Sequence, residues 1–440
     1  MRSRRWLVAV AALFALLGLY SYAAGFGRLG VWRVHVADGE RLLAGTLPSN
    51  PTYPAVAYSW LAGCFGELIV LPQAALALGA LVLLGRAVES EVGPPTPSRL
   101  REGSPWLLGV LLPWLLLVVS YYSNSVASIL LLCGALAFVR GLRADRPAAF
   151  LLAGACVGLA HGFRTELLST GLLLVVAAAI LGRSRRCAAR NGLLAAGGLL
   201  IAMAPWLVYT SATTGRLLLG TTNGPAVAFL GLGTLPHNPW GIVPSDKYAL
   251  RLAREEVGLG PWTPEAADYF RRRFVAAAIG HPAAFAARVG MGWTRWLAQG
   301  LYLPPLEQLL LLDDEDTRRL DYARELLKER VGLGANAYQL EAYREAGIDR
   351  SSVAFRHRAM LVVDAILRSA AAAALAALAV AYARGLWRAR DRVLPAALGV
   401  VFLLPSFLLA GLVQADARHT TMTLPVAVLA LALCHPRRVA

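Results

Sequence analysis

The sequence contains ten long apolar stretches, and this feature restricts the fold more than any other. A helix needs about 20 apolar residues to cross the hydrocarbon core of a bilayer, and about 17 to 25 are tolerated. We therefore predict an all-α, polytopic integral membrane protein with about ten transmembrane helices. The predicted spans are residues 6–25, 67–86, 105–121, 124–140, 148–163, 166–182, 192–210, 359–383, 393–413 and 420–435.

Arginine is distributed unevenly between the segments that join these spans. With a cytoplasmic N-terminus, nineteen arginines fall on the inner side, whereas the short outer loops hold only Arg28, Arg33, Arg41, Arg164 and Arg418. This asymmetry is the positive-inside pattern. The net charge of +16 therefore indicates orientation in a membrane, with both termini cytoplasmic, and not nucleic acid as a partner.

The spans divide the chain into three predicted parts. Residues 1–210 form an N-terminal transmembrane module of seven spans, whose first outer loop covers 27–66. Residues 211–358 form an extracytoplasmic segment, and residues 359–440 form a C-terminal transmembrane module of three spans. Within the middle part we expect an irregular loop over 215–246, then two amphipathic helices split at His281-Pro282 with Thr263 as N-cap, then a charged helical pair over 312–356.

Several function classes lack the residues that they require. Ion-coupled transporters need ionisable residues inside the bundle, yet the eighth span offers only Asp364 and Arg368, which are spaced i,i+4 and can neutralise each other. A phosphate-binding Walker loop needs lysine, and neither Lys247 nor Lys328 stands in that context. The cytoplasmic loops are short and basic, so we expect no nucleotide chemistry there.

The unusual polar residues lie in four separate outer loops. A carboxylate can deprotonate an attacking hydroxyl or amine, and arginine side chains can hold a lipid-linked phosphate. Because phosphate is already a good leaving group, this transfer needs a base and cationic contacts but no general acid. The residues in question are Asp38, Glu40 and Arg41; Asn50 to Tyr53; His161, Arg164 and Glu166; and Gln414, Asp416, Arg418 and His419.

Short patterns around these residues resemble the polytopic glycosyltransferases of the GT-C fold, the group of the protein O-mannosyltransferases and the lipid A aminoarabinose transferase. The acidic residue followed by arginine three positions on is matched by Asp38 and Arg41 in "ADGERLLAG", and the Gly-Leu-Ala run that ends in arginine by Arg164 in "GACVGLAHGFRTELL". Further matches are "YPAVAYSWLAGCFGE", "APWLVYTSATTGRLLLGTTNG", "GHPAAFAARVGMGWTRW" and "DARHTTMTLPVAVLALA".

The resemblance implies an inverting transferase in a bacterial inner membrane, with its active site on the extracytoplasmic face. It would move a sugar from a polyprenyl-phosphate donor to a lipid, glycan or protein acceptor, in contact with membrane lipids. Asp38 would be the catalytic base. The donor phosphate would bind Arg41, Arg164 and Arg418, and the substrate would contact Tyr53, His161 and His419.

The chain departs from the family at three places. The second outer loop, "SYYSNSVAS", offers Asn124 and serines where the family often has an acid, so paired carboxylates do not support a divalent metal and no cofactor is certain. His419 replaces a tyrosine, and Tyr53 stands where the aminoarabinose transferase has a lysine. Donor and acceptor therefore stay open.

Each candidate also has a structural explanation that needs no catalysis. Asp38 can be the N-cap of a helix that starts near Glu40, and Arg41 can pair with Asp38. Arg164 can form a salt bridge with Glu166, and Arg418 with Asp416. Two other classes stay open: a transporter or flippase for polyprenyl-linked glycans, in which the arginines hold phosphate without chemistry, and a non-catalytic scaffold.

Overall fold

The computed structural model describes residues 2–24, 31–48, 51–52, 56–92, 111–303, 310, 312–330, 337–389, 391–413 and 417–434. Within these residues every regular element is a helix, so the predicted all-α class is confirmed. Twenty α-helices are numbered here in chain order. The first ten are α1 (Arg2–Ala24), α2 (Val31–Leu43), α3 (Val56–Phe65), α4 (Val70–Val92), α5 (described over 111–118), α6 (Ser123–Ala144), α7 (Pro147–Phe163), α8 (Leu168–Ile180), α9 (Arg185–Thr214) and α10 (Asn223–Leu232).

The second half of the chain continues the same architecture. A π-helix at Gly399–Leu403 joins α17 to α18, so these three pieces form one apolar unit. The helices are α11 (Asp246–Val257), α12 (Pro264–Gly280), α13 (Pro282–Gln299), α14 (Asp314–Arg330), α15 (Ala337–Glu345), α16 (Phe355–Arg388), α17 (Val393–Leu398), α18 (Leu404–Leu412), α19 (Ala417–Met422) and α20 (Leu424–Leu433).

Among the described residues, five helices are long and apolar enough to cross a membrane, and six if the bent pair α12 and α13 counts as one span. The predicted number of ten is not confirmed. Several predicted spans correspond to shorter apolar helices, such as α8 with 13 residues, which rises only about 20 Å against a hydrocarbon core of about 30 Å. The five long spans are Val56–Val88, Ser123–Ala144, Arg185–Thr214, Phe355–Arg388 and Val393–Leu412.

The helices of the N-terminal module pack closely because glycines lie where they cross. A Cβ added to Gly154 would lie 2.0 Å from the carbonyl oxygen of Ala195, and one added to Gly198 would lie 2.1 Å from that of Leu151. Small residues of this kind let α7 and α9 approach backbone to backbone, as is common between membrane helices. The α7–α8 turn, which contains Arg164, is therefore held on a rigid support.

The middle part of the chain, residues 211–358, is more helical than the sequence predicts. The Gly- and Pro-rich stretch expected to be irregular contains α10, because its apolar run Ala226–Leu232 packs into a small core with Phe270. The split at His281-Pro282 is confirmed, with α12 and α13 bent by 108°. The Thr263 side chain accepts a hydrogen bond from the Ala266 amide, which confirms the predicted N-cap.

Two predictions about charged residues are confirmed. The charged pair predicted over 312–356 is confirmed as α14 and α15. The Arg368 Nε atom donates to Asp364 at 3.0 Å, which confirms the predicted ion pair, and Arg324 of α14 approaches the same carboxylate at 3.6 Å. Ion pairing with Arg324 therefore holds the N-terminal part of α16 against the charged α14.

One arginine of α13 contacts the ends of two other helices. Arg288 of α13 is 2% exposed, and its guanidinium donates to the carbonyl oxygens of Gly231, Gly411 and Val413. These carbonyls lie at the C-terminal ends of α10 and α18, where the helix dipole is negative. Arg288 therefore joins two helices whose residues also line the polar cavity described below.

Candidate functional site

The short helix α19 holds side chains from several distant elements. His419 contacts Arg164 at the α7–α8 turn, and the next residue, Thr420, accepts a hydrogen bond from the indole of Trp296 in α13. The Thr421 hydroxyl accepts from the Tyr302 amide at 2.7 Å. Because successive residues of a helix point in different directions, α19 can contact this many neighbours at once.

Arg164, Glu166 and His419 form a compact polar group. Arg164 Nε lies 2.6 Å from Glu166 Oε1, and Arg164 Nη2 lies 2.5 Å from the same oxygen. The His419 Nε2 atom is 2.6 Å from Arg164 Nη2 and 3.1 Å from Glu166 Oε1. The salt bridge that the sequence offered as an alternative for Arg164 is therefore present. It also orients Arg164, since the guanidinium is held by two side chains from different parts of the chain.

Arg418 lies against an aromatic ring. Its Cζ atom is 4.7 Å from the centroid of the Tyr122 ring, within the range of a cation–π interaction. Tyr122 in turn meets Tyr302 edge to face, with centroids 6.0 Å apart. Burial raises the pKa of the Tyr302 hydroxyl, and the nearby Arg418 guanidinium acts in the opposite direction. The second outer loop thus contributes an aromatic contact where the sequence showed no acid.

A polar cavity of about 900 Å³ is lined by Arg164, Glu166, Arg418 and His419. The cavity is bounded by the α7–α8 turn, the segment from Arg216 to the first turns of α10, the start of α12, the end of α18, and α19. Arginine is the main charged residue of the described wall, at Arg164, Arg216, Arg271 and Arg418. A basic cavity of this size suits an anionic ligand with a bulky group attached.

The arginines at the outer end of the cavity are paired with carboxylates. Arg216 lies 3.2 Å from both Glu265 and Asp268, and Arg271 lies 3.1 Å from Asp268. All four side chains are substantially exposed, so each pair adds little stability. The net charge of this end is close to zero.

Threonine contacts hold the loop that forms one wall. The Thr52 and Thr222 hydroxyls lie 3.0 Å apart, and Thr222 donates to the carbonyl of Trp262 at 2.6 Å. The Thr165 hydroxyl is 3.1 Å from that of Thr221. The first outer loop, the α7–α8 turn and the extracytoplasmic segment therefore meet at Thr221 and Thr222.

Asp38 lies within helix α2 and its side chain is buried, so the prediction that Asp38 is an N-cap is wrong. The sequence suggested a helix starting near Glu40, but α2 begins at Val31, because Trp32, His35 and Asp38 share one face that is buried. Asp38 lies in the third turn, is 4% exposed, and interacts electrostatically with Tyr209 of α9. It does not belong to the described wall of the polar cavity.

His35, one turn before Asp38, connects α2 to the cavity. Its Nδ1 atom lies 2.8 Å from the Ser59 hydroxyl, and its ring meets Tyr58 edge to face. Burial, and to a smaller extent the positive charge of Arg164, lower the pKa of His35 to about 3. The buried face of α2 is therefore within electrostatic range of the cavity arginine.

The other predicted residues fall in different places. Arg41 is exposed in the last turn of α2, outside the described wall of the cavity. His161 is fully buried at the end of α7 and is likewise not part of that wall. Tyr53 lies outside the described residues, as does Asp416. The structure thus brings together Arg164, Arg418 and His419 from the predicted set.

A second, apolar cavity of about 430 Å³ adjoins the other side of α19. It is lined almost entirely by apolar side chains of α16, the α17–α18 unit and α20. Trp296 and Thr420 also line it, whereas Arg418 and His419, the residues before Thr420 on α19, line the polar cavity. Neighbouring residues of one short helix therefore line a basic cavity and an apolar one, an arrangement that suits an amphipathic ligand.

The part of the chain that the structure describes brings no three His, Cys, Asp or Glu side chains together as metal ligands. Comparison of the chain with protein-family models, curated proteins and solved structures gave no match.

The sequence does not indicate which residues support the arginines. Glu166 is expected only as a salt-bridge partner of Arg164, and Tyr122 lies in an outer loop whose notable feature is the lack of an acid. Arg216 lies in the stretch predicted to be an irregular loop, whereas Asp268 and Arg271 lie in the first of the two predicted amphipathic helices. A search for aromatic residues in outer loops would have found Tyr122, whereas nothing in the sequence indicates its contact with Arg418.

Proposed function

We propose that this protein is an inverting membrane glycosyltransferase that moves a sugar from a polyprenyl-phosphate donor to an acceptor on the extracytoplasmic face. The observation that carries the proposal is the meeting of Arg164, Arg418 and His419 at one cavity. Arg164 and His419 are 255 positions apart in the sequence and come within 2.6 Å. Guanidinium groups bind phosphate oxygens well, and two of them on one wall suit a phosphate dianion.

The apolar cavity beyond α19 supports a lipid-linked donor over a free sugar phosphate. A polyprenyl chain would be stabilised by about 25 cal/mol for each Å² of apolar surface removed from water or headgroups. In this arrangement the phosphate lies at Arg164 and Arg418, and the first isoprene units lie against Trp296 and Thr420. We place the helices in a bacterial inner membrane with the predicted ten crossings. In this arrangement α1, α7, α8 and α20 would cross beside the five long spans, and the remaining predicted span, 105–121, lies partly outside the described residues.

In the proposed reaction Asp38 takes the proton from the acceptor hydroxyl or amine. The acceptor atom attacks the anomeric carbon, the bond between that carbon and the phosphate oxygen breaks, and polyprenyl phosphate leaves with the electron pair. Arg164 and Arg418 hold the phosphate as its negative charge increases. The role of Asp38 is carried by the sequence pattern. Asp38 lies on the buried face of α2, next to His35, whose pKa responds to Arg164.

Replacing Asp38 by Asn tests the mechanism. We expect transfer from a polyprenyl-phosphate sugar to fall by about 10²–10⁴-fold, the usual contribution of a general base, without loss of donor binding. Glu40→Gln is the matched control, because Glu40 is an exposed carboxylate on the same helix, and it should retain activity. Full activity of Asp38→Asn would exclude Asp38 as the base.

One observation favours a second candidate, a flippase for polyprenyl-linked glycans. Asp38 is not part of the described cavity wall, whereas the arginines are, and this suits phosphate binding without chemistry. Purified protein in detergent distinguishes the two functions. An enzyme forms glycosylated product there, and a flippase leaves the donor unchanged while losing affinity for it when Arg164 is replaced by Gln.

A further inference from the structure

The serine-rich second outer loop is a firmly held turn. The Ser125 hydroxyl donates to the carbonyls of Leu117 and Ser120, at 2.7 and 2.9 Å, and the Ser120 hydroxyl donates to that of Leu116. The Tyr121 hydroxyl donates to the carbonyl of Glu67 at 2.8 Å. With these contacts, the backbone on both sides of Tyr122 has little freedom.

Tyr122 itself is positioned by its backbone. It has an extended conformation immediately before α6, its amide donates to the Ser120 carbonyl at 2.9 Å, and its own carbonyl accepts from the Ser125 amide at 3.0 Å. Tyr121 and Tyr122 point in different directions, since Tyr121 contacts Trp32 and Tyr122 contacts Tyr302. The turn therefore directs one tyrosine into the core and the next toward α19.

The Tyr122 ring is also held from the side. Tyr302 meets it at an interplanar angle of 89°, and the Tyr302 amide is bonded to Thr421 of α19. The contacts begin and end on α19: Arg418 lies against Tyr122, Tyr122 packs against Tyr302, and the Tyr302 amide donates to Thr421. We call Tyr122 and Tyr302 the aromatic platform.

We propose that Tyr122 is a positioning residue for anion binding: the aromatic platform fixes the Arg418 guanidinium at the polar cavity through the face of the Tyr122 ring. The inference rests on the proposed phosphate site. A ring face stabilises a cation electrostatically, yet it neither neutralises the charge nor accepts one of the N–H donors. A carboxylate does both, as Glu166 does with Arg164.

The two cavity arginines are thus supported in different ways. Arg164 is oriented by an acid and a histidine and shares its charge with the acid, and the platform adds an aromatic contact that orients Arg418. Phosphate binding is therefore expected to depend on the ring at position 122 and not on its hydroxyl.

The test compares Tyr122→Phe, Tyr122→Leu, Arg418→Gln and the double variant Tyr122→Leu/Arg418→Gln in the full-length protein in detergent. The probes are dodecyl phosphate and inorganic phosphate, and binding is measured by calorimetry. We expect Tyr122→Phe to bind dodecyl phosphate as the wild type does and Tyr122→Leu to lose about 5- to 30-fold in affinity, the range that a cation–π contact supports. In the Arg418→Gln background, Tyr122→Leu should have no further effect.

Fluorinated phenylalanines at position 122 keep the inference testable if the Leu variant does not fold. Successive fluorine atoms weaken the ring face with little change in size, so affinity should fall stepwise with their number. An equal loss in Tyr122→Phe and Tyr122→Leu, additive losses in the double variant, or no fluorine dependence would each overturn the inference.

The two probes separate this inference from the proposed function. Tighter binding of dodecyl phosphate than of inorganic phosphate supports a lipid-linked ligand at the same site. If the wild type binds neither probe, both the proposed phosphate site and the inference fail. If the wild type binds and only Arg418→Gln loses affinity, the phosphate site stands and the role of Tyr122 is wrong.

Discussion

Single side chains at this site act mainly through the partners that hold them. Arg164 is oriented by Glu166 and His419, and Arg418 contacts Tyr122. His35 is a further case, since it is buried, hydrogen-bonded to Ser59 and kept neutral by its surroundings. At this scale Arg164 and Arg418 of the predicted arginines lie on the cavity wall and Arg41 does not, and the sequence does not indicate what surrounds them.

His35 leads to a prediction about stability and pH. The pKa of His35 is lowered in the folded protein to about 3, so between pH 6.5 and 3 the unfolded chain binds the proton more tightly. The stability contributed by neutral His35 is therefore present above pH 6.5 and lost as the pH falls. The loss in the free energy of unfolding amounts to about 2 kcal/mol between pH 6.5 and pH 5, at about 1.4 kcal/mol per pH unit.

Thermal unfolding in detergent measures this effect. Between pH 7 and pH 5 the melting temperature of the wild type should fall more than that of His35→Asn, which keeps a polar nitrogen near Ser59 but does not titrate. His237→Asn is the control, because His237 is exposed and its positive φ suits asparagine. Parallel curves for the wild type and His35→Asn would contradict the assignment.

At the scale of elements, glycine contacts decide how the helices approach. A Cβ added to Gly39 of α2 would lie 2.1 Å from the Ser59 carbonyl oxygen and 2.5 Å from the Gly63 amide nitrogen. The backbones of α2 and α3 therefore touch directly, next to Asp38. The sequence places both glycines in the first outer loop but does not show that they face each other.

Gly39→Ala should separate α2 from α3. We expect a loss of about 1–3 kcal/mol or more in the free energy of unfolding, since the contact is with backbone that cannot rotate away. Gly79→Ala is the matched control, because nothing lies within 4 Å of its added Cβ and alanine favours a helix. Chemical unfolding in mixed micelles gives both values. A stable Gly39→Ala variant would show that α2 and α3 are not in direct contact.

For the whole molecule, the distribution of arginine predicts how the helices are oriented in the membrane, and cysteine labelling tests that orientation. In a variant without the five native cysteines, we place one cysteine at Gly260 or at Ala189, both exposed positions. A membrane-impermeant maleimide should label Gly260→Cys in spheroplasts, and Ala189→Cys only after the membrane is opened. The reverse labelling would invert the topology and move the polar cavity to the cytoplasmic side.

The sequence alone determines the class of this protein. Lipid cannot satisfy backbone hydrogen bonds, so long apolar stretches must form helices, and arginine in the loops sets their orientation. It also locates Thr263 as an N-cap and the break at His281-Pro282, because such signals act within one turn of a helix. The helical class, the N-cap and the break are confirmed because each depends on neighbouring residues, whereas the orientation stays a prediction.

Only the tertiary structure decides which outer-loop residues meet. Arg164 and His419 come together across 255 positions, Tyr122 contacts Arg418, and Asp38 lies on the buried face of α2. Such contacts depend on where glycines let the helices cross and on the hydrogen bonds by which Arg288 of α13 holds the end of α18. No local sequence pattern encodes these contacts. The physical reason is that side-chain contacts between loops follow from the packing of the whole bundle.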